Sequence, residues 1–158
     1  MSKLLAFLVL TSSFALAAPP SDSLKSPNMT GTWKTNIDKS TFPGTPPAEL
    51  TAVMKHDGDK LHMTQITVEP DGNRNSVELE FDTSGKPTVN KVGATELRTT
   101  MKVDGDVVRE ETDFTTPESN FKRKSTISVS PDGKTLTLDA VIIGNAGENK
   151  MKIVMEKQ

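Results

Sequence analysis

Along most of the chain, apolar and polar side chains alternate with a period of two. Val77, Leu79 and Phe81 alternate with Ser76, Glu78 and Glu80, and Leu97, Met101 and Val103 alternate with Arg98, Thr100 and Lys102. Leu136, Leu138, Ala140 and Ile142 share one parity, as do Met151, Ile153 and Met155. Successive side chains of a strand point to opposite faces, so each run has one face for a core and one for water. Gly58, Gly72, Gly85, Gly105, Gly133 and Gly147 punctuate the runs in turn-like clusters. The rhythm is a strand of about 8–10 residues followed by a tight turn. Strands are predicted at residues 31–36, 49–56, 61–69, 74–82, 86–91, 95–103, 107–114, 120–130, 135–143 and 149–157. Sequential strands hide their edges most simply by closing on themselves. The expected fold is therefore all-β, an antiparallel up-and-down barrel of 8–10 strands. A two-sheet sandwich would show the same alternation, and no long helix is expected.

Two places break the pattern. Leu61 and Met63 are out of phase with Ile66 and Val68, which predicts a β-bulge near Thr64-Gln65. Val141-Ile142-Ile143 is apolar on both faces, as at a bulge or a self-association patch. Elsewhere the turns share a grammar: Val68-Glu69-Pro70-Asp71-Gly72 and Val129-Ser130-Pro131-Asp132-Gly133 both place Pro, Asp and Gly in turn order.

The amino terminus reads as an address. Lys3, the apolar stretch Leu4 to Leu10 and the small-x-small Ala15-Leu16-Ala17 form a secretory signal, expected to span residues 1–17. Pro19 disfavours cleavage after Ala18. The apolar run is too short to span a bilayer of roughly 30 Å, so no membrane span is expected after cleavage. Residues 18–30, rich in Pro, Ser and Asp, are expected to be a flexible leader, and residues 31–158 the barrel domain. Asn28-Met29-Thr30 fits a glycosylation acceptor. The protein is thus expected to be exported, to a periplasmic or extracellular location.

Composition narrows the chemistry. There is no cysteine, which excludes disulfides, thiolate metal sites and a cysteine nucleophile. Without Lys3 the chain carries 18 basic and 21 acidic side chains, and its one basic cluster is Lys122-Arg123-Lys124. That surface argues against a nucleic-acid partner. No catalytic triad, nucleophile elbow, zinc-binding helix motif or phosphate loop is present, and Glu110 and Glu111 should face opposite ways. An enzyme is not expected, nor a cofactor. His56 and His62 flank a two-residue hairpin loop whose parity puts their rings on opposite faces, so no metal site is expected there.

Gly31-Thr32-Trp33-Lys34, the alternating strands and the final strand from Met151 to Lys157 resemble the calycins, the superfamily of lipocalins and fatty-acid-binding proteins. The longer string with Asn36, Lys39, Ser40 and Phe42 resembles small exported bacterial lipocalin-like proteins. The resemblance implies that Gly31 and Trp33 close one barrel end, with Arg123 or Lys152 as a cation over the indole. Two family features are missing. Thr41 to Pro47 holds three prolines and is too short for a two-helix lid, and Ile153 and Met155 stand where a carboxylate-gripping Arg-x-Tyr would lie.

The implied function is a monomeric barrel holding a small hydrophobic or amphipathic molecule inside. Met54, Met63, Phe81, Met101, Phe114 and Met155 are the expected apolar lining, since methionine adapts to irregular ligand shapes. Arg123 shares the inward parity of Phe121, Ile127 and Val129. It would anchor a ligand carboxylate or phosphate, contact Trp33, or pair with Glu110. The alternative is a filled barrel acting through its surface as a structural or protein-interaction module of the cell envelope.

Overall fold

The structure, a computed structural model, describes residues 27–158. The expected signal (1–17) and residues 18–26 of the expected leader lie outside the described residues. Ten antiparallel strands follow one another: β1 (Gly31–Thr35), β2 (Glu49–Asp57), β3 (Lys60–Val68), β4 (Arg74–Asp82), β5 (Ser84–Val92), β6 (Thr95–Asp104), β7 (Val107–Thr115), β8 (Asn120–Val129), β9 (Thr135–Gly144) and β10 (Gly147–Lys157). Each matches an expected run to within two residues. They form one sheet in the order β4-β3-β2-β1-β10-β9-β8-β7-β6-β5. The first and last strands pair, Trp33 opposite Lys157 and Thr35 opposite Met155. The result is a nearly closed up-and-down barrel, not a sandwich.

Two expected irregularities are absent. The β2–β3 and β3–β4 ladders run in continuous register through Thr64 and Gln65. There is no bulge because polar Gln65 keeps its inward place, leaving Ile66 and Val68 on the outer face. The ladders of β9 are also continuous through Val141, Ile142 and Ile143. The register shift that does occur lies in β5, between Ser84 and Pro87, where it pairs with β6. Pro87 cannot donate to a ladder, which fits an edge position.

That edge is a seam. β4 and β5 are joined through Thr83 yet do not pair along their length. A side chain spans the gap: the Asn90 carbonyl Oδ1 accepts the Glu80 amide at 2.9 Å, and Asn90 Nδ2 donates to the Glu80 carbonyl at 2.9 Å. The amide group thus stands in for one rung of the missing ladder.

The barrel end that holds the start of β1 and the finish of β10 is plugged. Trp33 is wholly buried, and its indole Nε1 donates to the Met29 carbonyl at 2.8 Å. Met29 is buried too, so the packed chain begins upstream of the expected Gly31 boundary. The cation over the indole is Lys157, with Nζ 5.3 Å from the ring centroid. Neither Arg123 nor Lys152 takes that place, because Trp33 and Lys157 face each other directly across the β1–β10 ladder. Such a contact contributes about 0.5–2 kcal/mol. Gly31 has φ +144°, and a Cβ there would come within 2.5 Å of Lys157 Cε. The glycine leaves room for the lysine stem as it crosses to the tryptophan.

At the same end, Asp82 accepts from Lys60 Nζ at 2.8 Å, from the Ser84 amide at 2.9 Å and from the Ser84 hydroxyl. Its side chain is only 5% exposed. Chiefly the Lys60 and Ser84 hydrogen bonds hold its carboxyl far below the usual aspartate range. A depressed carboxyl pKa stabilises the fold above the unfolded value, about 3.9, and that contribution fades as pH falls through the folded value. Asp82→Asn is therefore expected to lower Tm near neutral pH, with the gap to wild type closing in strong acid. Thermal melts across that range check this, and a gap independent of pH would contradict it.

Candidate functional site

Inward side chains form cross-strand rows, because residues directly opposite in an antiparallel ladder share a face. One row runs Val108, Ile127, Leu138, Ile153 toward the plugged end. The next runs Met101, Glu110, Ser125, Ala140, Met151. A third holds Thr88, Thr99, Thr112, Arg123, Ile142. Beyond it, toward the opposite end, Leu97, Phe114 and Phe121 are aligned. The interior thus grades from an apolar floor through a polar belt to an aromatic rim.

Between floor and belt lies a cavity of about 220 Å³. Five of the six expected apolar residues, Met54, Met63, Phe81, Met101 and Met155, line it, and so does Arg123. Phe114 does not. Its ring stacks on Phe121 at 4.4 Å and 9°, nearer the aromatic rim, and the Arg123 guanidinium lies 5.4 Å from its centroid. Parity alone could not reveal this, since it fixes the face of a residue and not its height in the barrel.

The polar belt is an ordered network. Arg123 Nε and Nη2 donate to Glu110 Oε1 at 3.0 and 2.6 Å. The Thr112 hydroxyl donates to the same oxygen at 2.7 Å, and it lies 2.9 Å from the Thr99 hydroxyl. Glu110 keeps 5% of its side-chain surface exposed and Arg123 26%. Of the three roles open to Arg123, pairing with Glu110 is the one the geometry realises. Two buried hydroxyls, Thr35 Oγ1 and Ser125 Oγ, have no partner among the described residues. Ser125 is directly opposite Glu110 in the ladder.

The connection between β1 and β2 holds no lid helices. It makes one 3-10 turn, η1 (Ile37–Lys39), and then bridges β10 through Thr41 and Lys152. Phe42 follows that bridge and enters the cavity wall. Gln65 and Phe42 are lining residues that sequence reasoning missed. Phe42 sits in no strand, and Gln65 was masked by the supposed bulge.

A larger depression, about 700 Å³, lies on the outside of β6–β10. Most of its lining is outward-facing, with Lys102, Arg109, Lys124 and Lys152 interspersed with Glu111 and Asp139. It is an open furrow between long, solvated side chains, and the more sheltered, largely apolar interior is the better site. The histidines sit elsewhere and apart. His56 Nε2 meets the Thr83 hydroxyl at 3.2 Å, whereas His62 Nδ1 lies 3.8 Å from Glu80 on the outer face.

No family model and no curated protein matches the chain. Solved structures do. A zebrafish ileal bile acid-binding protein complexed with cholic acid superposes with TM-score 0.57 at 17% identity, over 82% of this chain and 98% of that one. A secretory abundant heat soluble protein from Ramazzottius varieornatus gives TM-score 0.59 at 15% identity, over 87% and 100%. A second such protein from that organism, number 4, gives 0.52 at 16%, over 85% and 96%. At such identities the likeness establishes the fold alone, an antiparallel up-and-down barrel of ten strands.

Glu110→Ala would strand the Arg123 guanidinium. The expected cost is about 2–3 kcal/mol, below that of a fully buried pair because Arg123 keeps some solvent. Replacing both residues by methionine should cost far less, since an apolar pair of similar volume leaves no charge unmatched. Urea unfolding of the two variants checks the ordering; a double variant as unstable as the single one would contradict it.

Proposed function

We propose that the protein is an exported, non-enzymatic barrel that binds a small apolar or amphipathic molecule in its interior. The observation that carries this reading is the methionine-rich interior cavity of about 220 Å³ with one ion pair in its wall. A barrel whose own side chains filled the lumen would favour the surface-module reading instead. The ligand is small, because the space is below the roughly 300–1,000 Å³ of drug-sized sites. A structural neighbour complexed with cholic acid supports ligand binding on this fold. Export rests on the signal-like pattern of residues 1–17, and a periplasmic or extracellular monomer is the form proposed.

Apolar burial supplies the affinity. At about 25 cal/mol per Å², a ligand hiding roughly 200 Å² gains about 5 kcal/mol. Loss of ligand freedom offsets part of this, so burial alone gives only weak binding. A polar contact then decides which ligand is kept.

Ala52 is buried in the cavity wall. Ala52→Phe should fill the space, abolishing 1-octanol binding by calorimetry while leaving the melting temperature little changed. Undiminished octanol binding in the folded variant would place the ligand elsewhere.

A further inference from the structure

Resting on the interior-ligand reading, we infer that the cavity selects a molecule with an uncharged head group that both donates and accepts hydrogen bonds. A primary amide or an alcohol fits; a free carboxylate does not.

The first reason is charge. Arg123 alone would invite an anion, but Glu110 is salt-bridged to it at 2.6 Å and lines the same cavity. The pair brings no net charge to the wall. Among the described residues no other formally charged side chain lines the cavity. A carboxylate entering there would surrender its hydration and find the Arg123 charge already balanced, with Glu110 repelling it. An ammonium would meet the mirror-image obstacle.

The second reason is the division of hydrogen bonds within the pair. Glu110 Oε1 takes all three donors: Arg123 Nε, Arg123 Nη2 and the Thr112 hydroxyl. Among the described residues Glu110 Oε2 and Arg123 Nη1 have no hydrogen-bond partner, and neither belongs to the fully buried unsatisfied atoms. A spare acceptor oxygen and spare N–H donors on Nη1 thus remain on adjacent groups of the wall. A guanidinium N–H can only donate and a carboxylate oxygen can only accept. Their complement is a group that accepts from Nη1 and donates to Oε2, as a primary amide does with its two ends and a hydroxyl with its one atom. The cavity volume equals the liquid share of about seven waters, room for that head and a short alkyl chain.

The test is a matched series on the full chain by titration calorimetry near neutral pH: octanamide, 1-octanol, octanoate and octylammonium. The expected order places octanamide and octanol at least about tenfold tighter than either ion, the effect of one unpaired buried polar group. Glu110→Gln leaves Arg123 uncompensated and should improve octanoate by about tenfold relative to octanol. The double variant Glu110→Gln with Arg123→Met should lose discrimination among the head groups. It serves if the single variant does not fold. Octanoate binding to wild type as tightly as octanamide would overturn the head-group inference while leaving the interior-ligand reading intact. Binding of none of the four would overturn both.

Discussion

The pairing of the first strand with the last is the constraint on which everything else depends. Once Trp33 and Lys157 are locked opposite each other, the ten strands must curve, and every second side chain points to a common interior. Alternation that would otherwise make a flat two-faced sheet then encloses a lumen. The plug of Trp33, Met29 and the Lys157 ammonium secures that closure at the end where it forms. Chain entry by a glycine lets the lysine cross close to the backbone.

Closure is incomplete on the far side. The β4–β5 seam is held by backbone contacts of Thr83 and by the Asn90 amide across to Glu80. Thr83 donates its amide to the Asp59 carbonyl and accepts from Val103, so the seam is tied at the plugged end and loosens away from it. The strands there carry the outward Val89 and the proline-bearing register shift. The polar belt starts at this edge, with Thr88 and Thr99, and runs inward to Thr112, Glu110 and Arg123. Barrel architecture and polar site therefore meet along one line of residues.

Much of the fold was legible because period-two alternation and turn chemistry act locally, within a few residues. Val77 to Phe81 or Leu136 to Ile142 announce their strands without any tertiary knowledge. The inward parity of Arg123 and its possible pairing with Glu110 were legible for the same reason. What was not legible depends on height and registry between strands. Phe114 has the right parity but lies at the rim, and Lys157 holds the tryptophan because of where β1 lands on β10. Gln65 shows the opposite failure: a polar residue pointing inward looked like a slip in register, when it is an ordinary lining position. The seam at Asn90 has no local signal, since an asparagine bridging two strands looks like any strand asparagine.

We propose that the lumen, and not the outer wall, receives the ligand, which nuclear Overhauser contacts between octanamide and protein methyl groups would reveal. Interior binding should give contacts from the alkyl chain to Met54, Met63, Met101 and Met155, with a shift of the Arg123 side-chain N–H signals. Contacts confined to outward methyls such as Val53 and Val89, which are 41% and 51% exposed, would contradict it.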